Sequence, residues 1–200
     1  FITDIEEPDY TSYEYKEDSK ENIDELNRGT FYYRHTKEWN GILPNSLKES
    51  IYCYYLANVV RDLRGHGTKP RSMLINMSRF VKVQCVIKEH VAKIQDNFIR
   101  TIKYNFDEDS SKNVRLSLYK ELEQIWNKHF DNVTDISFTD VIKKKHLLGA
   151  VYDIETDIPK MEIIVVNGSS ASKLDYKSNP SLRVIALGGL ALSRGLTVDG

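Results

Sequence analysis

The chain has only two cysteines, Cys53 and Cys85, and no CxxC pair. That spacing excludes a disulfide scaffold and a thiol-based zinc module. It leaves two reduced thiols of an intracellular protein, expected to fill core rather than to react. The five histidines (His35, His66, His90, His129, His146) contain no HxxxH pair, so each is expected on the surface or in the core rather than on a metal. A GxxxxGK[ST] loop is also missing. Gly67-Thr68-Lys69 has the wrong order and is followed by Pro70, which makes it a helix stop and not a phosphate cradle. No apolar run approaches the roughly 18 residues of a bilayer span, and the first residues lack the pattern of a signal peptide. A cytoplasmic location without membrane attachment is therefore expected. Nor is there an excess of basic charge. Lys plus Arg number 28 against 29 Asp plus Glu, a net −1 that excludes a generally basic nucleic-acid coat.

What is present is unevenly distributed. With 40% apolar and 28% charged residues, 200 positions suffice for one ordinary core. Residues 1–30 hold ten acids and three bases, a balance of −7, whereas residues 60–100 hold nine Lys/Arg and three acids, a balance of +6. The first stretch is rich in tyrosine and poor in aliphatics, and reads as irregular surface chain. Within it, Asp9 after Pro8, and Glu14 with Lys16, spell a PD…ExK nuclease site, in which two carboxylates hold a divalent metal and the lysine approaches the attacked phosphate. Only four residues separate Asp9 from Glu14, and Thr11-Ser12 make a poor hairpin turn, so an accidental match is the competing reading. The chain begins at Phe1 and stops three residues past its most informative motif, and is expected to be a piece of a longer protein.

Residues 31–45 read as a connector with aromatic anchors, closed by Pro44. Ser46-Leu-Lys-Glu49 then spells a capping box, and Leu47, Ile51, Tyr55, Val59 and Leu63 line one face of a helix ending near Arg64, with Gly65 beyond it. Arg71 to Met77 reads as a buried strand. Ser78 is placed to cap a long helix whose apolar face carries Phe80, Val83, Ile87, Val91 and Ile94. Ser78, Arg79 and Lys82, at the positive end of a helix behind a strand, suit a phosphate group. An ordinary cap with two solvated cations is the alternative.

Residues 105–150 read as helical. One amphipathic helix follows Ser110-Ser111 with Val114, Leu118, Leu122, Ile125 and His129 on its face, and a shorter one runs from Thr139 to Leu148 with Gly149 as its stop. Asp153, Glu155 and Asp157 alternate in what reads as a solvated acidic loop, a cation site being the alternative. Met161 to Val166 and Arg183 to Leu187 are two further buried strands. Strands separated by crossovers of this length are largely parallel, so the fold class is α/β with residues 105–158 inserted as a helical section.

The last strand runs into Gly188-Gly189, then Ser193-Arg194-Gly195-Leu196-Thr197. Ligands of α/β proteins sit at the carboxyl ends of parallel strands. There Gly188, Gly189 and Gly195 let backbone amides approach an anion, while Ser193 and Arg194 offer donors and charge. A turn packed for stability alone is the competing reading.

LPNSLKESI, RDLRGHG, SMLINMSRF and GGLALSRGLTVDG together resemble the Z1 domain family of endonuclease-like proteins, and more broadly the second lobe of a superfamily-two helicase. The likeness covers residues 40–100 and 160–200. It implies an incomplete three-layer RecA-like sheet of the P-loop NTPase type. In this division residues 1–45 are a connector, 46–104 and 159–200 the lobe, and 105–158 the insertion. It also implies that Ser78, Arg79, Lys82, Gly188, Gly189, Ser193, Arg194, Gly195 and Thr197 meet a nucleic-acid backbone, with DNA the expected form. Arg194, Gly195 and Thr197 would also face the nucleotide of a partner lobe. Thr197 stands where many helicases carry a ribose-binding aspartate. ATP and Mg2+ would belong to the full-length protein, bound with a first ATPase lobe of the same chain, and companion subunits of a DNA restriction or defence system are the implied partners. No catalytic residue is assigned, and this piece alone is expected not to hydrolyse ATP.

Overall fold

The computed structural model describes residues 27–31, 35–166, 176 and 179–189. Helix α1 (Asn45–Leu63) is followed by strand β1 (Arg71–Ile75) and the long helix α2 (Val81–Asn105). A 3-10 helix (Ser110–Arg115), α3 (Ser117–His129), α4 (Phe138–Val141) and α5 (Lys144–Val151) come next. A short antiparallel pair, β2 (Tyr152–Asp153) and β3 (Ile158–Pro159), precedes β4 (Met161–Val166) and β5 (Arg183–Gly188).

The three long strands form one parallel sheet in the order β1-β5-β4, as the crossover lengths require. They start level, since Arg183 is in register with both Arg71 and Met161. All six residues of the central strand β5 are buried, which accounts for its nearly continuous apolar run. Met73, Ile75, Ile163, Val165, Ile185 and Leu187 face the main core, shared with α1 and α2. Val184, Ala186, Ile164 and Val166 make a smaller cluster on the opposite face with Leu182 and Tyr176, where Leu74 is left 42% exposed.

The α1 stripe is as expected: Ile51, Tyr55 and Val59 are buried, and Leu47 and Leu63 pack at its ends. Gly65, at φ +79°, turns the chain beyond Arg64 and donates its N–H to the Asp62 carbonyl at 3.0 Å. The expected capping box is not formed. The N-cap is Pro44, with no side-chain cap bond, and Glu49 instead reaches across to Lys128 and His129 on α3. The inserted helices join the same core, with α3 and α5 packed on α1, and α5 also packed on α2. Ser110–Arg115 is a 3-10 turn and not the start of α3, because Leu116 is extended between them, so Val114 is 46% exposed. Extended Lys143 divides the helix expected over Thr139–Leu148, and Gly149 lies inside α5 instead of ending it.

A buried ionic cluster holds the amino ends of β1 and β5. Asp62 Oδ1, at the end of α1, accepts from Arg71 Nη2 at 2.6 Å and from Arg183 Nη2 at 2.8 Å. Arg71, only 1% exposed, also donates to the backbone oxygens of Asn58 and His66, and Arg183 to that of Ala150. Burial lowers the proton affinity of the Arg183 guanidinium, and Asp62 opposes that shift. Beside them the Tyr54 hydroxyl donates to the Arg71 carbonyl at 2.8 Å, and burial pushes its pKa up to about 12. Nothing in the apolar periodicity of either strand foretold two arginines at these positions.

Candidate nucleic-acid interface

At the opposite end of the sheet, β1 closes at Ile75, two residues earlier than expected, and the chain turns through Asn76–Phe80 into α2. Ser78 is not the N-cap of that helix. Phe80 is, and it supplies no side-chain cap bond. The Ser78 hydroxyl instead accepts the Phe80 N–H at 3.1 Å in a turn just before the helix. Among the described residues, then, no side-chain cap satisfies the first N–H groups of this 25-residue helix, at the positive end of its dipole.

The end of β5 packs on this turn. A Cβ on Gly189 would lie 3.0 Å from the Ser78 carbonyl oxygen and 3.2 Å from both Arg79 Cα and Gln84 Nε2. Glycine is required there for close approach of two backbones. Gln84 fastens the junction from within α2, its Nε2 donating to the Ser78 carbonyl at 2.7 Å. Among the described residues its buried Oε1 has no hydrogen-bond partner. Gly188 is buried inside the strand and in register with Val166, so it shapes the edge without being offered at it.

The cations lie outside this junction. Arg79 is exposed, with its guanidinium 4.9 Å from the Phe80 ring centroid, a cation–π contact that leaves its donors toward solvent. Lys82, in the first turn of α2, is exposed and paired with Glu38. The Lys82 ammonium holds the Glu38 carboxyl below the usual carboxylate range. His35 Nε2 lies 2.8 Å from the Ser78 hydroxyl, whose residue is only 4% exposed, and the His35 ring meets Phe80 edge-on.

Of the residues singled out in the sequence, then, the fold brings Ser78, Arg79 and Gly189 together, sets Lys82 beside them and buries Gly188 behind them. Ser193, Arg194, Gly195 and Thr197 lie outside the described residues, as do Asp9, Glu14 and Lys16. Two contributors were missed. Gln84 was legible as a polar residue beside Val83 on an otherwise apolar face, whereas nothing marked His35 among its aromatic neighbours.

The other candidates resolve into local structure. Asp153 accepts the Glu155 N–H at 3.0 Å, and Asp157 pairs with Lys103 and Tyr152. Among the described residues no three His, Cys, Asp or Glu side chains gather as a metal site. A groove of about 480 Å³ between α1 and α3 is flanked by the Lys48–Glu121 and Lys128–Glu49 pairs, which already satisfy its charges. No helix among the described residues is long and apolar enough to cross a membrane.

A family model described as the Z1 domain matches residues 46–200. No curated protein and no solved structure gives a significant match.

Proposed function

The chain belongs to the Z1 domain family, and from that premise we propose that it is the nucleic-acid-backbone-binding lobe of an ATP-dependent, helicase-like motor. On this reading its parallel sheet is of the RecA-like, three-layer type. The observation that carries the reading is the junction of Gly189 with Ser78 and Arg79, in front of a helix N-terminus without a side-chain cap. Such an edge suits a phosphate chain running across it: helix N–H groups and one solvent-facing guanidinium bind phosphate oxygens without reading bases. On this reading Ser193, Arg194, Gly195 and Thr197, which follow Gly189 in sequence, are further contacts to the backbone, and Arg194, Gly195 and Thr197 also bind a nucleotide. ATP and Mg2+ would be bound by a companion ATPase lobe, where they supply the energy of translocation. A role in DNA restriction or defence, with companion subunits, is the biological setting this reading implies.

The test is anisotropy of a fluorescein-labelled DNA oligonucleotide titrated with the 200-residue chain at several salt concentrations. Arg79→Ala is expected to weaken binding about threefold to tenfold and to lower the salt slope by about one. Binding that is indifferent to Arg79→Ala and to Arg194→Ala would contradict the reading.

A further inference from the structure

The candidate edge is already contacted from within the chain. Two side chains three residues apart, on one short segment, touch two of its proposed phosphate contacts: His35 meets the Ser78 hydroxyl and Glu38 the Lys82 ammonium. The segment is firmly held. Trp39 is 1% exposed in the core, with Phe31 packed edge-on against it. Phe31 N–H donates to the Ile42 carbonyl at 2.8 Å and Ile42 N–H to the Gly29 carbonyl at 3.0 Å. Thr36 donates its N–H and hydroxyl to the side chain of buried Asn27, at 3.3 and 3.0 Å. A Cβ on Gly41 would collide with the Gly29 carbonyl at 1.9 Å, so this crossing admits only glycine. All of these residues precede position 46, where the family match begins.

A carboxylate on the lysine and a hydrogen-bonding ring on the serine are what an incoming phosphate would have to displace. We infer that residues 35–42 form an internal competitor, in which Glu38 and His35 hold Lys82 and Ser78 in place of a nucleic-acid phosphate and so weaken binding at this edge. The inference rests on the reading of the edge as a backbone-binding surface. Its physics is simple competition. Binding must first break the Glu38–Lys82 pair and must bring a polyanion up to the Glu38 carboxylate. Glu38 and Lys82 are both exposed, so the effect is modest and is screened by salt.

The experiment is the same anisotropy titration, at low salt, with Glu38→Gln. This exposed, nearly isosteric change leaves Trp39 and the backbone bonds of the segment intact. The expected result is about threefold to fivefold tighter binding than wild type, shrinking as salt rises. The gain should disappear in Glu38→Gln/Lys82→Gln, because the freed ammonium is what delivers it. Glu155→Gln removes the same charge from the β2–β3 turn. Asp157 of that turn pairs with Lys103, about 30 Å from Lys82 by the rise of α2. It should leave affinity unchanged. Binding by Glu38→Gln no tighter than wild type, or an equal gain from Glu155→Gln, overturns the inference. If Arg79→Ala still weakens binding while Glu38→Gln changes nothing, the edge survives as a binding surface and only the competitor fails. If neither the wild type nor Glu38→Gln binds DNA, both fail.

Discussion

Gly189, at the end of the central strand, stands so close to Ser78 that a Cβ built on it would lie 3.0 Å from the serine carbonyl oxygen. The neighbours are backbone atoms and a buried amide, none of which swings aside easily. Gly189→Ala should therefore push β5 and the β1–α2 turn apart, costing about 1–2 kcal/mol by overpacking. Urea unfolding of the variant measures the loss, and a midpoint equal to that of wild type would show that the junction is looser than described.

Among the described residues, Asp62 is the only carboxylate that accepts hydrogen bonds from the buried Arg71 and Arg183 guanidiniums. Asp62→Ala leaves two guanidiniums together without their counter-charge, and should destabilise by about 3 kcal/mol. Asp62→Asn, which keeps the shape but not the charge, should recover little of it. Denaturant midpoints of the two variants test this, and a change under about 1 kcal/mol in either would contradict the assigned role.

Glu49 ties α1 to α3 through Lys128 at 2.8 Å and His129 at 2.7 Å, and these donors, Lys128 first, hold its carboxyl below the ordinary value of 4.5. A depressed folded-state value means that the unfolded chain takes up the proton first. The contribution is therefore present above pH 4.5 and lost as pH falls through the folded-state value. Glu49→Gln should be less stable than wild type near neutrality, with the difference closing in acid. A pH series of thermal midpoints checks it, and a difference that is constant across the series would refute the linkage.

The two thiols should separate cleanly. Cys53 is buried in the α1 face, and burial pushes its pKa up to about 11, whereas Cys85 is exposed on α2. That exposure corrects the expectation that both fill core. A maleimide reagent should label one thiol promptly in the native protein and two after denaturation, with Cys85 identified by peptide mapping. Rapid native labelling of Cys53 would contradict its placement.

The sheet was legible because its strands are short apolar runs separated by crossovers too long for hairpins, and this forces parallel pairing. The face of α1 was legible for a similar reason, since Ile51, Tyr55 and Val59 recur at helical spacing. What could not be read were the polar choices. Ser46 and Glu49 have capping-box spacing, but Pro44 takes the cap and Glu49 finds stronger cationic partners on α3, brought near only by the fold. Ser78 makes a turn bond and not the expected cap bond, because the helix starts two residues later than its spacing suggests. Nothing in the strand patterns pairs Arg71 with Arg183, and only the level register of β1 and β5 reveals that one aspartate serves both. His35 reaches Ser78 across 43 positions, a contact that no local pattern encodes.

The most direct test of the account is hydrogen–deuterium exchange of the chain with and without a DNA oligonucleotide, followed on the peptide spanning residues 76–84. If the sheet edge grips a phosphate backbone, amides at the start of α2 should exchange more slowly in the bound state. Peptides from α3 and from the β2–β3 turn should be unaffected. Protection confined to those distant peptides, or no protection anywhere at saturating oligonucleotide, would contradict it.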